Sequence, residues 1–289
     1  MLCINPFRPR PGVEHGCGQC MGCRINRRRA LTGRIQAELL QHVESSWCTL
    51  TYADEHLPLV SSGLLPTLSR AHTTSLLRNF GRELVAAFPL REAPRFFLVG
   101  EYGEKGGRPH YHLVIFGMPW SIALQSWMEQ RWLWGKVRQG ETIWENSNGF
   151  AAYLAGYVTK KLSDGDLEEG QEREFIRCSR NPPIGWVHIR DNYGPWFASQ
   201  EGQEYLSKHR DVPSEHTVGK RYPLGPYLKR KLRDLVNVPH DDPVRQAARE
   251  ARIKAEAAHP VLGPLREAKR VARYEVTRRR AEGARRRRN

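Results

Sequence analysis

The sequence predicts an α+β protein built on antiparallel strands, and three observations carry that prediction. Two β-rich runs, Arg95–Tyr102 and His110–Phe116, flank a short glycine-bearing connection, which is the pattern of a β-hairpin. A further run, Ser46–Tyr52, is dense in β-branched and aromatic residues and ends at the turn-rich Ala53–Pro58. Between these strands, three stretches repeat apolar residues at helical spacing.

The first helix is expected over Arg24–Leu40, where Leu31, Ile35 and Leu39 recur at i, i+4 and i+8. Arg24, Arg27, Arg28, Arg29 and Arg34 crowd its other faces, a single-signed cluster suited to phosphate contacts. The second is expected over Arg70–Phe88, capped by Ser69, stopped by Pro89 and buried along Leu76, Phe80 and Leu84. The third runs over Gly149–Leu162, opened by Asn148 or a neighbour, with Leu154, Val158 and Leu162 inward. Tyr153 and Tyr157 share another face of it, continued by Lys160 and Lys161. Trp120, Trp127, Trp132, Trp134 and Trp144 are expected mostly in the core, with one or two free to stack on bases. The acidic stretch Ser163–Glu174 reads as a mobile surface loop, and Trp186–Arg190 as a strand after the turn Cys178–Gly185. From about Asp241 the chain turns basic and poor in apolar residues, the pattern of a solvated helix or a disordered tail. The expected organisation is a Cys-rich segment over 1–24, a main domain over 25–240 and a basic tail over 241–289.

Charge points to the partner. Lys and Arg number 46 against 31 Asp and Glu, a formal net charge of +15, so a polyanion such as nucleic acid is expected. The sequence has no run long and apolar enough for a transmembrane helix and no signal-peptide core at its start, so a soluble, intracellular protein is expected. Four of its six cysteines, Cys3, Cys17, Cys20 and Cys23, fall within the first 23 residues. They can close a tetrahedral zinc site or stay free thiols; the spacing lacks two well-separated knuckles.

The chemistry concentrates at His110-Tyr111-His112. On a strand, residues i and i+2 point to one face, so the two imidazoles project together. With the hairpin turn centred near Lys105 or Gly106, Glu101 falls opposite His110 or diagonal to His112. A carboxylate and two imidazoles form a three-ligand set with open positions, as a catalytic divalent ion requires. Glu104 and His56 are less well placed substitutes for Glu101. A phenol needs activation to serve as a nucleophile, and such a site beside two tyrosines and a lysine suits phosphodiester cleavage.

These motifs resemble those of rolling-circle replication initiators, the HUH endonucleases. His110-Tyr111-His112 resembles the H-u-H motif, with Tyr111 at the hydrophobic position. Ser46–Pro58 resembles the first motif, and Tyr153-x-x-x-Tyr157-x-x-Lys160 the third motif of the two-tyrosine superfamily. The likeness is greatest to the initiators of microviruses, especially the gokushovirus-like branch. It extends to the cysteine cluster with its arginine-rich helix, to Gly100–Gly103, and to Ser179–Gly185, where Pro183 replaces a glycine. It covers roughly residues 1–195. The resemblance implies a central antiparallel sheet with packed helices, ferredoxin- or RRM-like in layout. It implies nicking and rejoining of phage origin DNA through a 5′-phosphotyrosine, with Tyr153 and Tyr157 as nucleophiles, Lys160 and Lys161 assisting, and Mg2+ or Mn2+ held by Glu101, His110 and His112. It also implies work in the bacterial host's cytoplasm on single-stranded and replicative-form DNA, with host helicase and DNA polymerase as partners. Two alternatives stand beside it: a relaxase or transposase of the same chemistry, and a non-catalytic nucleic-acid-binding protein.

Overall fold

The strand periodicity and hairpin signals resolve into one five-stranded antiparallel sheet in the computed structural model. The structure describes residues 3–10, 13–18, 20–61, 63, 65–90, 92–103, 106–144, 149–160, 167–259, 271–276 and 279. Asn148, Lys161, Leu162, Glu104, Lys105, residues 163–166 and nearly all of the terminal arginine runs lie outside these, as do the side chains of Trp144, Tyr157, Val158 and Lys160. The chain divides into two compact units, residues 32–189 and residues 1–31 with 190–289.

Residues 32–189 hold the sheet, ordered β6–β3–β5–β4–β7. Its strands are β3 (Glu44–Tyr52), β4 (Arg95–Tyr102), β5 (Pro109–Phe116), β6 (Gly135–Trp144) and β7 (Phe175–Cys178). The predicted hairpin is present, with Glu101 opposite His110 and Tyr102 opposite Pro109. Strand alternation gives the sheet two unlike faces. One carries Cys48, Leu50, Tyr52, Leu98, Tyr111, Leu113, Ile115 and Val137 into the main core. Leu76 of α2 (Arg70–Leu77), Phe80 and Leu84 of α3 (Phe80–Ala87), and Leu124 and Met128 of α4 (Ile122–Arg131) cover it. Trp132 is fully buried there, and Trp120, Trp127 and Trp134 pack against it partly buried.

Tyr111 ties this core to the first helix above it. Its hydroxyl accepts the Ser69 N–H at 2.8 Å and lies 3.0 Å from the Tyr52 hydroxyl. Ser69 in turn caps α2 by accepting the His72 N–H at 3.1 Å. The polar tip of a tyrosine thus has partners that an aliphatic residue at this position would leave unsatisfied. Its ring needs space on β4, and Gly100 opposite supplies it: a Cβ there would meet the Tyr111 ring at 3.0 Å.

Several expectations are corrected. The helix expected at Arg70–Phe88 is two helices, because Asn79 adopts a left-handed φ of 58° between them, a conformation asparagine tolerates better than most residues. The arginine-rich helix begins earlier than expected: α1 spans Met21–Leu39. Trp186–Arg190 is not a strand but the start of helix α6 (Trp186–Ala198). The local alternation Trp-Val-His-Ile-Arg imitates a strand, whereas Ile189, Tyr193 and Phe197 recur at i, i+4 and i+8 and mark the inward side, with Ile189 and Phe197 buried. The strand β7, four residues long, has no counterpart among the expected elements. The described part of the acidic stretch, 167–174, is anchored: Gln171 Nε2 donates to the Pro66 carbonyl at 2.7 Å, and the Glu172 N–H donates to Thr67 Oγ1 at 2.8 Å.

Residues 1–31 and 190–289 form the second unit. It contains the short pair β1 (Phe7–Arg10) and β2 (Val13–His15), the start of α1, most of α6, α7 (Gln200–His209), the pair β8 (Glu215–Val218) and β9 (Lys220–Pro223), and α8 (Gly225–Leu235). Asp211 gathers Lys229 at 2.6 Å and Arg233 at 2.7 Å; burial pushes its carboxyl up, and these cations outweigh that and hold it at about 2. The basic tail begins as helix α9 (Pro243–Ala258), capped by Asp242, and residues 271–276 are helical. Among the described residues no helix is long and apolar enough to cross a membrane.

The buried carboxylate of Glu38 fixes the end of α1 within the sheet-bearing unit. It pairs with Arg95 on β4, lies 3.4 Å from His42 Nε2, and accepts the Gly185 N–H. Gly185 has φ +77°, and a Cβ there would lie 2.7 Å from the Arg34 carbonyl oxygen. Burial pushes the Glu38 pKa up, but the His42 hydrogen bond, the Arg95 charge and the Gly185 N–H outweigh it and lower it below the ordinary 4.5. A carboxyl with a depressed folded-state pKa contributes stability above the unfolded pKa and loses it as pH falls through the folded value. Glu38→Ala is therefore expected to lower unfolding stability at neutral pH by about 3–5 kcal/mol, and to flatten its loss below pH 4.5. Urea titrations across that pH range check both effects.

Candidate active site

The second face of the sheet is polar at one end, and register decides what gathers there. Adjacent strands place directly paired residues on the same face. One such row runs Lys136, Thr51, His110 and Glu101 across β6, β3, β5 and β4. The next runs Arg138, Thr49, His112, Val99 and Ile176, ending on β7. Two hydrogen-bonded rows therefore bring a carboxylate, two imidazoles, two hydroxyls and two cations to one side of the sheet.

Glu101 is the hub. Its Oε1 lies 2.9 Å from His110 Nε2 and 3.1 Å from His112 Nε2. The two imidazole rings stand perpendicular, with centroids 5.0 Å apart. Burial pushes the Glu101 carboxyl up, but hydrogen bonds and charge from both histidines outweigh it and hold its pKa at about 2. Burial pushes His110 down, and Glu101 and the Arg108 carbonyl outweigh that, leaving its pKa raised. Glu174, just ahead of β7, adds negative charge on the same side; its Oε1 accepts the Tyr102 N–H at 3.2 Å. His110 and His112 are among the less exposed groups of the row, with side chains 19% and 7% accessible, so a bound group meets His110 first.

The far nitrogen of each ring is held as well. His110 Nδ1 donates to the Arg108 carbonyl at 3.2 Å, and His112 Nδ1 lies 3.1 Å from Thr49 Oγ1. A carbonyl only accepts, so His110 Nδ1 carries the proton and, in the neutral ring, Nε2 presents its lone pair toward Glu101. This is how a metal-ligating histidine is oriented by its surroundings. The three candidate ligand atoms lie within 4.8 Å of one another, and this donor set of one oxygen and two nitrogens can hold a metal ion. Of the proposed substitutes for Glu101, Glu104 lies outside the described residues and His56 is exposed on the short 3-10 turn Asp54–His56.

Helix α5 (Phe150–Lys160) packs beside this face, burying Ala151, Leu154 and Ala155. Trp47 bridges helix and site. Its ring lies 5.5 Å from that of His112 and, edge-on, 6.1 Å from that of Tyr153. Tyr153 is therefore one aromatic ring away from the histidines, and it is 45% exposed. Tyr157 and Lys160 belong to the same helix, with side chains outside the description, and Lys161 lies beyond it.

The arginines of α1 are less uniform than their sequence suggests. Arg27 and Arg29 are exposed, while Arg24, Arg28 and Arg34 are partly buried. Arg34 Nε donates to the Ile184 carbonyl and Arg29 to that of Arg221, each at 3.3 Å. Cys3, Cys17, Cys20 and Cys23 come together, their sulfurs within 4.8 Å of one another, and can likewise hold a metal ion.

Four residues of the site carry no assignment from the sequence. Thr49 and Thr51 share a strand face by alternation, but nothing marks Thr49 as a partner of His112. Trp47 reads as an ordinary strand aromatic. Lys136 and Arg138 belong to no motif; their i, i+2 spacing on a strand is the only signal, and it means nothing until β6 is known to pair with β3.

Residues 45–162 match the family model of the replication-associated protein ORF2, a span that includes Trp47, Glu101, both histidines and α5. The chain is 28% identical over 232 residues to the replication-associated protein ORF2 of Spiroplasma virus 4, covering 75% of this chain and 67% of that protein. It is 25% identical over 191 residues to the replication-associated protein VP4 of Bdellovibrio phage phiMH2K, covering 59% and 56%. It is 26% identical over 174 residues to the replication-associated protein ORF4 of Chlamydia phage 1, covering 54% and 40%. The chain therefore spans about half the length of the latter two. No solved structure matches it. The resemblance to microvirus replication proteins read from the motifs is borne out by these relatives.

Thr49 orients His112 without being a candidate ligand itself, so its hydroxyl is separable from the fold. Thr49→Val keeps the shape and removes the hydroxyl. It is expected to weaken Mn2+ binding about 10–100-fold, the usual cost of losing such a supporting hydrogen bond. Isothermal titration with Mn2+ checks this, and unchanged affinity would show that His112 needs no such support.

Proposed function

We propose that the protein initiates rolling-circle replication of a small single-stranded DNA phage genome by nicking and rejoining one strand through a tyrosine. The observation that carries the proposal is the Trp47 bridge, which sets Tyr153 one ring from the Glu101–His110–His112 cluster. Kinship with phage replication-associated proteins supplies the substrate class.

Glu101, His110 and His112 would hold Mg2+ or Mn2+, hard enough for phosphate oxygens and compatible with imidazole. Such an ion offsets the charge of the scissile phosphate and polarises it. The chain's own residues do the rest. A tyrosine Oη on α5 loses its proton and bonds to phosphorus. The bond from phosphorus to the 3′ oxygen breaks, and that oxygen leaves as a hydroxyl after taking up a proton. The 5′ phosphate stays on the tyrosine, so the bond can later be remade, and the free 3′ hydroxyl can prime synthesis by a host polymerase. A second tyrosine four residues on allows a second cleavage before the first end is released, which suits Tyr153 and Tyr157 as a pair. Lys160 and Lys161 fill the assisting role by motif resemblance.

The same row offers a path for the strand. Lys136 and Arg138 are exposed on the face that bears the histidines, on the β6 side, while Glu101 and Glu174 make the β4–β7 side acidic. A phosphodiester backbone is attracted to the first side and repelled by the second. Bound DNA therefore leaves the site over β6. Arg27 and Arg29, exposed on α1, add phosphate contacts. Within this reading the nicking chemistry lies in the span 25–240, the tail 241–289 adds non-specific DNA affinity, host helicase and polymerase are the partners, and the bacterial cytoplasm is the place of action.

The double variant Tyr153→Phe with Tyr157→Phe is expected to retain single-stranded DNA binding and to form no covalent adduct with labelled origin DNA in Mn2+. An adduct that survives both changes would overturn the tyrosine mechanism. Lys136→Ala with Arg138→Ala is expected to weaken single-stranded DNA binding and to reduce the magnitude of the slope of log K against log salt by about 1.4, the counterion release of two phosphate contacts. An unchanged slope would make the pair ordinary edge-strand charges, which also guard a sheet against aggregation.

A further inference from the structure

The cysteine cluster takes no part in the nicking chemistry and belongs to the unit of residues 1–31 and 190–289. Cys17 and Cys23 sulfurs lie 4.0 Å apart, and all four sulfurs lie within 4.8 Å of one another. A tetrahedral zinc with zinc–sulfur bonds of about 2.3 Å sets its sulfurs about 3.8 Å apart. A disulfide would draw one pair to about 2.05 Å and break that even spacing. The spacing seen is that of a thiolate cage.

Backbone amides converge on the sulfurs. The Cys17 N–H donates to Cys3 Sγ at 3.2 Å and the Cys20 N–H to Cys17 Sγ at 3.3 Å. The Asn5 N–H also donates to Cys3, and the Gly18 N–H to Cys23. Hydrogen bonds of this kind stabilise sulfur that carries negative charge, as four thiolates around one dication do. Cys20 immediately precedes α1 and Cys23 sits in its first turn, where the helix dipole favours negative charge.

The segment has no other means of holding itself together. Before α1, Cys3 is the one buried side chain among those described. The β1–β2 pair has strands of four and three residues, too short to be stable alone. Small segments of this kind are commonly stapled by a metal.

We propose that Cys3, Cys17, Cys20 and Cys23 form a structural zinc site that folds residues 3–20 against the start of α1. It is independent of the ion proposed for nicking and stands if that reading fails.

The test uses the full chain, grown with zinc and purified without chelator, in a His110→Ala, His112→Ala background so that the other cluster holds no ion. Elemental analysis is expected to give one zinc per chain, falling to none when Cys17→Ser and Cys20→Ser are added. Cobalt substituted for zinc is expected to show a sulfur-to-cobalt charge-transfer band that the serine variant lacks. Should the serine variant fail to fold, the cobalt band of the parent and the rise in amide exchange over residues 3–20 on chelation still decide the matter. Zinc absent from the parent, with four cysteines alkylated as fast as an unstructured thiol, would overturn the proposal. So would a mass lower by four hydrogens, the sign of two disulfides.

Discussion

The site depends on one shared carboxylate oxygen. Glu101 Oε1 is within hydrogen-bond distance of both His110 and His112, and that requires Glu101 and His110 to be directly paired across β4 and β5. A slip of one residue would turn Glu101 into the apolar core and bring Gly100 or Tyr102 to the histidines. The register is therefore held from the other face. Tyr111, between the two histidines, is buried against Gly100 and hydrogen-bonded to Ser69 and Tyr52. The core residue and the site residues of the motif fix one another.

The division of labour between the two faces explains the distribution of polarity in the chain. Helices α2, α3 and α4 bury the apolar face and leave it no role but stability. The other face is covered only partly by α5, leaving Thr51, Lys136 and Arg138 reachable beside His110. Polar groups on a sheet are costly when buried and unpaired, and here each histidine nitrogen has a partner: Glu101 for the near ones, Arg108 and Thr49 for the far ones. That arrangement is rigid before any ligand arrives, which is what a site must be if it is to favour a transition state over its own relaxation.

Much of this was legible in the sequence, and for local reasons. Strand alternation put His110 and His112 on one face, and a short hairpin connection allowed only a narrow choice of partner, so Glu101 could be named. Ser69 as a cap and the buried stripe Leu76, Phe80 and Leu84 follow from helix chemistry within one or two turns. What could not be read depended on distant pairing or on a single backbone angle. Lys136 and Arg138 join the site only through the β3–β6 register, some 85 residues apart in sequence. Trp47 gains its place between His112 and Tyr153 from the packing of α5. The break at Asn79 turns on one left-handed residue, and Trp186–Arg190 imitated a strand because its helical period shows only when Tyr193 and Phe197 are included.

The central claim is that the cluster on the sheet serves a nucleophile on α5. Its most direct test is peptide mapping by mass spectrometry of the wild-type protein trapped on origin single-stranded DNA, with and without Mn2+. The account predicts a 5′-phosphotyrosine at position 153 or 157, formed only when the metal is present. A covalent link at any other residue, or one that forms equally in a chelator, would contradict it.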